Sequence, residues 1–451
     1  MQASANHVRS LPLLSKKTIM LMTFGNLGVS MAFSLQSSSM GRIFQTIGAD
    51  PTKLGFFFIL PPLMGLFVQP LVGYFSDKTW LPKLGGRRLP YLLIGAFVSV
   101  IMMILLPNSG SFGFGYGSLA ALSFGAFAIL FMDLSSNVAM QPFKMIIGDT
   151  VNDNQKNYAW SYQSIWSNIG SILATLLPFG LTALGVANVA VKGRIPDSVI
   201  YAFYIGAILL IVSSLFTVKN VHEYDDVEYA KYHGVTNEQK NEKKGFLELL
   251  KSAPKVFWTL TIVQFFCWGA FQYLWTYGTG AVAANVWNTT DPTTAAYQAA
   301  GNWFGILSAV QAVASVLWGF ILSSTHPSQR KMAYFGGLLL GGIGFASIFF
   351  IHTQYPLIIS FILIGIGWVT TTSIPFMYLT TALQGQNEGT YLGLFNGSIC
   401  LPQIVASVAS FAVFPLLHDH MPSMLLISGI LLVIGAFASF GVKEHLTGVA
   451  K

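Results

Sequence analysis

Charge is what this sequence has least of. Only 9% of its 451 residues are Asp, Glu, Lys or Arg, against about 25% in soluble domains, so an ordinary water-soluble globular body is excluded. Cysteine is nearly absent. Cys267 and Cys400 are the two, each inside an apolar run, and they make neither a disulfide framework nor a metal-ligand spacing. The eight histidines, His7, His222, His233, His326, His352, His418, His420 and His445, lie in loops or at the ends of apolar runs. None stands at a zinc-ligand spacing from a cysteine or glutamate. No G-x4-G-K-[ST] loop occurs, which argues against direct ATP hydrolysis, and no cofactor is implied. The first 17 residues are polar and carry Arg9, Lys16 and Lys17, unlike a cleavable signal peptide.

What fills the chain is hydrophobic sequence, 53% of it. Apolar runs of about 20 residues, each long enough to cross roughly 30 Å of hydrocarbon, recur near 18–38, 54–75, 90–107, 118–143, 158–183, 198–218, 256–281, 300–322, 332–351, 355–381, 390–416 and 422–441. This pattern predicts an all-α membrane protein of twelve transmembrane helices. With the N-terminus inside, Arg42, Lys53, Lys192 and Arg194 are the only ones of the 24 Lys and Arg in outside loops. The positive-inside rule therefore expects both termini in the cytoplasm. The formal charge of +7 follows from that loop bias, so no nucleic-acid partner is implied. The expected organisation is a cytoplasmic tail 1–17, a six-helix half 18–218, a cytoplasmic linker 219–255, a second six-helix half 256–441 and a tail 442–451. The linker is polar and of mixed charge, and reads as a solvated connection.

An internal repeat supports two halves. Pro142-Phe143 is followed by Asn154 and Tyr158, and Pro375-Phe376 by Asn387 and Tyr391, with identical spacing. Repeated six-helix halves are a recurrent transporter design, with the binding site between them near the midplane.

Of the 17 acidic residues, Asp133 alone sits deep inside an apolar run. A carboxylate at the centre of a membrane helix costs roughly 2.5–3.5 kcal/mol on insertion scales, and such residues mark ion or proton pathways. Withdrawal from water disfavours the charged form of an acid, so Asp133 is expected to take up and release a proton. The neutral acid crosses the apolar interior more cheaply than the carboxylate, which lets a loaded carrier reorient while an empty one resists. Asn137 lies one turn on, and Lys144 follows on the same side of the helix. Eleven residues of straight helix span about 16 Å, too far for a direct Asp133–Lys144 ion pair. The repeat counterparts of Asp133 and Lys144 are Ile366 and Met377, so this chemistry is confined to the first half.

The motifs resemble those of a known family. Gly73-Tyr74-Phe75-Ser76-Asp77-Lys78, continuing to Gly86-Arg87-Arg88, is similar to the gating loop of the major facilitator superfamily, with a longer stretch between aspartate and arginines. Within it the chain most resembles the sucrose/maltose–proton symporter branch, which includes plant sucrose carriers and bacterial maltose carriers. The matching residues are Leu35-Gln36 with Arg42-Ile43-Phe44-Gln45, the string Asp133, Asn137, Pro142, Lys144 and Asp149, and Gly389-Thr390-Tyr391-Leu392-Gly393 with Asn396, Pro402 and Gln403. The resemblance implies a transporter that takes up an α-linked disaccharide with a proton. Gly73, Asp77, Lys78, Gly86, Arg87, Arg88 and Asp149 would form the gating loop and its partner. The family usually places arginine where this chain has Lys144; the resemblance implies that this cation takes part in substrate binding or coupling, and lysine keeps the charge but loses the planar fork.

Sugar recognition calls for flat apolar faces and amides. Gln264, Trp268, Gln272 and Trp275 fall on one face of the seventh run. Asn26, Gln36, Gln163, Asn396 and Gln403 add polar groups within other runs, although such groups also simply bond neighbouring helices. The expectation is a multi-pass protein of the cell membrane whose partners are a sugar, protons and the bilayer, working as a monomer and not an enzyme. Sodium coupling, a drug or lipid exporter on the same fold, and a non-transporting sugar sensor are the competing readings.

Overall fold

The computed structural model describes residues 11–152, 155–225, 227–228, 232, 251–323, 329–383, 391 and 394–442; within these, the side chains at 70, 73–74, 77–78, 83, 156–158, 161, 323, 380–381 and 383 lie outside the description. The described chain is almost wholly helical, the form in which backbone in hydrocarbon satisfies its own hydrogen bonds. In order come α1 (Lys16–Met22), α2 (Asn26–Thr46), α3 (Leu54–Lys78), α4 (Leu89–Leu105), α5 (Leu119–Thr150), α6 (Lys156–Ala183) and α7 (Asp197–Asn220). After the linker come α8 (Lys255–Trp287), α9 (Ala295–Ser323), α10 (Arg330–Phe350), α11 (Leu357–Leu383), α12 (Gly397–Leu416) and α13 (Met421–Ala438).

Eleven stretches among the described residues are long and apolar enough to cross a membrane, α1 and α2 counting together. The seventh expected run is α8. At 33 residues it is about 50 Å long, yet it falls outside that set. The reason is its position: α2, α3, α9, α11, α12 and α13 pack around it, so it needs little of the apolar surface that lipid demands.

Helices α1–α7 pack among themselves, as do α8–α13. The seam between the bundles is made by α3 on α12, α6 on α9 and α2 on α8. The near face of the molecule carries Lys16, the α3–α4 turn and the end of α7. The far face carries the α2–α3, α6–α7 and α8–α9 turns. On the far side the helices approach backbone to backbone. A Cβ added at Gly305 would lie 2.4 Å from the Thr175 carbonyl oxygen, and one at Gly55 2.5 Å from that of Ser407.

The first run departs from expectation. It is broken at Thr23–Gly25 and continues to Thr46, so Arg42 is in a helix and not in an outside loop. Tertiary partners, one donor and one acceptor, take up groups at the break. Trp166 Nε1 donates to the Met20 carbonyl at 3.1 Å, and the Gly25 N–H donates to Thr217 Oγ1 at 2.9 Å. Ser38 returns its hydroxyl to the Ser34 carbonyl at 2.6 Å and leaves the helix intact.

Candidate functional site

The acid in the middle of α5 is enclosed by amides. Asp133 is 3% exposed. Its Oδ1 accepts from Gln36 Nε2 of α2 at 3.1 Å and its Oδ2 from Asn137 Nδ2 at 2.8 Å. Asn137 Oδ1 in turn accepts from Gln69 Nε2 of α3 at 3.0 Å. Gln69 escaped the sequence reading; only its register on α3, facing the α5 acid, would have exposed it. Among the described residues no cation is bonded to Asp133. An amide can serve either protonation state, donating through NH2 to a carboxylate or, turned over, accepting through oxygen from an acid. Gln36 Oε1 is buried without a partner, and is placed to take that second role.

Lys144 lies two turns beyond Asn137 on the same face of α5. Asn137 is buried and Lys144 exposed, so the face is covered at mid-depth and uncovered toward the near side. A polar row on α6 behaves alike. Thr182 and Thr175, toward the far side, meet α9, whereas Ser164 and Asn168, toward the near side, are bonded to each other at an exposed site. Among the described residues α5 and α11 make no extended contact across the seam. The seam is therefore closed toward the far face, while the polar positions of α5 and α6 toward the near face are uncovered.

The α8 face is different from its sequence appearance. Gln264 and Gln272 are buried, with 0% and 2% exposure, and each is committed to a main-chain carbonyl. Gln264 Nε2 donates to Thr371 O of α11 at 3.2 Å, and Gln272 Nε2 to Phe58 O of α3 at 2.8 Å. These carbonyls are bare for a common reason: Pro375 and Pro62 stand four residues on and have no N–H to give. The two amides thus join helices in this state. Trp268 is buried against Trp368, ring centroids 5.4 Å apart, and the half-buried Trp275 lies 5.9 Å from the same ring. Trp368 belongs to this aromatic wall and was not singled out from sequence.

The other expected contacts scatter. Asn26 donates to the Thr23 carbonyl at the helix break, 3.2 Å. Gln163, on α6, is half-buried with its Oε1 enclosed and unpartnered. Asn396 Nδ2 reaches Gly65 O at 3.4 Å across the seam, and Gln403 lies buried one turn before Ser407 on α12. An apolar crevice of about 520 Å³ between α6, α9 and α11, lined by Ile172, Leu176, Val313, Leu317 and Ile366 among others, offers hydroxyls almost nothing.

At the near face Arg88 is 4% exposed and pairs with Asp149 at 3.2 Å, tying α4 to the end of α5. The side chains of Asp77 and Lys78, and the surroundings of Gly73, lie outside the described residues, as do Asn154, Asn387, Gly389, Thr390, Leu392 and Gly393. The start of the linker corrects the expectation of a solvated segment. Glu223 is 5% exposed and accepts the N–H groups of Arg87, Arg88 and Leu89 at 2.9, 2.9 and 2.7 Å. A helix start leaves such donors bare, and Arg88 supplies no side-chain cap of its own. Burial pushes the Glu223 carboxyl up from its ordinary range, against the pull of those three N–H groups and the Arg88 charge.

An amide-caged acid in one helix bundle, beside a seam shut on one face and open on the other, is the arrangement of a membrane carrier. The chain belongs to the Major Facilitator Superfamily, whose family model matches residues 22–407. It is a transporter and not an enzyme. Its relatives include the sucrose transport protein SUC4 of Arabidopsis thaliana, 24% identical over 439 residues that cover 88% of this chain and 84% of that protein. The sucrose transport protein SUT2 of Oryza sativa subsp. indica is 23% identical over 438 residues, covering 85% and 84%. Among solved structures, the inward open conformation of the xylose transporter XylE from E. coli aligns with a TM-score of 0.68 at 14% identity, over 96% of this chain and 97% of that one. The nucleoside transporter NupG aligns with 0.60 at 16%, over 95% and 98%. These structural likenesses establish the fold.

Proposed function

We propose that this chain is a proton-coupled symporter that carries an α-linked disaccharide, such as maltose or sucrose, into the cell by alternating access. The single observation that carries the reading is the Gln36–Asp133–Asn137–Gln69 cluster: one deep acid, no cation bonded to it among the described residues, and amides able to bond either protonation state. A proton needs one titratable group, whereas sodium wants several oxygens from carboxylates or carbonyls. Relatives that are sucrose transport proteins support a disaccharide as the cargo. In this reading α8 is the twelfth crossing, the near face is cytoplasmic by its Lys and Arg, and the carrier works as a monomer in the cell membrane.

This reading implies a mechanism. Asp133 takes its proton when the cavity faces outward. The neutral acid then lets the two bundles rock around the bound sugar. In the state described here the uncovered side is the near face, where Lys144 meets the departing substrate and the proton leaves Asp133. Trp268, Trp275 and Trp368 present an apolar wall to the C–H faces of the sugar. The apolar crevice between α6, α9 and α11 favours one second reading, an exporter of amphipathic molecules. Uptake of labelled maltose, sucrose and trehalose into proteoliposomes at two external pH values separates them. At least one sugar is expected to enter faster at the acid value; uptake of none, with transport of an amphipathic dye instead, would transfer the assignment to the exporter.

A further inference from the structure

The far side of the seam is tied by side chains that the acid cluster does not use. Arg42, on α2 of the first bundle, is 4% exposed. Its Nε donates to Gln298 Oε1 at 2.6 Å and its Nη1 to Asn302 Oδ1 at 2.9 Å, both on α9 of the second bundle. Its Nη2 donates to Asn188 Oδ1 of the α6–α7 turn at 2.8 Å. The amides are themselves fixed: Gln298 Nε2 donates to Thr46 Oγ1 at 3.0 Å, Asn302 Nδ2 to Thr182 Oγ1 at 3.0 Å, and Ser198 donates to Asn188 Oδ1 at 2.8 Å. A buried guanidinium here has three neutral acceptors and no carboxylate among them. Such a clamp is specific in geometry but leaves the charge unneutralised, so water competes with it readily once the seam parts.

The second tie is Gln272. Its amide crosses from α8 to α3 to reach the Phe58 carbonyl that Pro62 leaves bare, and also donates to Ser407 Oγ of α12 at 2.8 Å. With the far face shut, losing Gln272 would strand a buried carbonyl. With the far face open, water would satisfy it. Gln264 makes the same kind of bond to the Thr371 carbonyl, but α8 and α11 belong to one bundle, so that bond does not report on the seam.

We infer that Arg42 and Gln272 form the outer gate of this carrier, two cross-bundle ties that hold the far face shut in this state and break when it opens. The inference rests on the alternating-access reading above. It gives Gln272 a gating role, distinct from that of a sugar ligand.

The test is a distance measurement that needs neither sugar nor proton gradient. Spin labels go on Val191→Cys and Thr290→Cys, exposed sites on far-face turns of the two bundles, in a Cys267→Ala, Cys400→Ala background. Arg42→Gln and Gln272→Ala should each raise the ratio of long to short distances about tenfold, the scale set by one stranded buried polar group. Adding Pro62→Ala to Gln272→Ala returns an N–H to the Phe58 carbonyl and should bring the distribution part of the way back toward the starting one, and Gln264→Ala should leave it unchanged. Single variants with unaltered distances, in folded monodisperse protein, would overturn the gate, and so would a double variant no closer to the starting protein than Gln272→Ala alone. A sugar ligand at Gln272 would instead show weaker uptake with the same distances. Failure here leaves the disaccharide and proton assignment standing, whereas gating without sugar uptake would sink that assignment and keep the gate.

Discussion

At the scale of single residues, three of this chain's buried charges are held by neutral partners. Asp133 and Arg42 are each held by amides, and Glu223 by the main-chain donors that open α4. Glu223 makes a pH prediction with a definite sign. An acid whose folded pKa is raised contributes most to stability below its unfolded value, and that contribution is lost as pH rises through the folded value. Relative to Glu223→Gln, the native protein should therefore lose melting temperature as pH rises above the ordinary glutamate range of about 4.5. Melting in detergent across that rise checks it, and a native protein that gains on the variant would mean that the N–H bonds outweigh desolvation. Asp133 and Asn137 were legible in sequence as a lone deep acid with an amide one turn on. Gln69, Gln298 and Trp368 were not, because their roles depend on residues far away in the chain.

At the scale of elements, apolar runs located the helices, since length in hydrocarbon is set by the bilayer, with ends off by up to about eight residues. What the sequence did not show has physical causes. The first helix was expected to end near residue 38, and it runs on because Ser38 and Arg42 are held by local and cross-bundle bonds. The α8 glutamines looked like a sugar face, because the prolines that bare their acceptor carbonyls lie on other helices. The linker was expected to be solvated, and its first residues are held by the bare start of α4. Close helix approach gives a further prediction. Gly305 meets the Thr175 carbonyl with no room for a Cβ, so Gly305→Val should force α6 and α9 apart on the far side. Cysteine-accessibility labelling at Thr182→Cys should then rise severalfold, and unchanged labelling would contradict the tight contact.

At the scale of the whole molecule, two helix bundles meet along a seam that is tied on the far face and open on the near one. Asp133 lies in the first bundle, bonded directly to α2 and through Asn137 to α3, the helices that also build the seam. A change at Asp133 is thereby placed to bear on the contacts that open and close the carrier. Replacing the acid with its neutral amide keeps the shape and removes the proton. The most direct measurement is accumulation of labelled disaccharide in proteoliposomes under an inward proton gradient, comparing the native protein with Asp133→Asn. The account predicts that the native carrier concentrates the sugar, while the variant, present at equal amounts in the membrane, brings it at most to the bath concentration. Accumulation by Asp133→Asn equal to that of the native protein would contradict it.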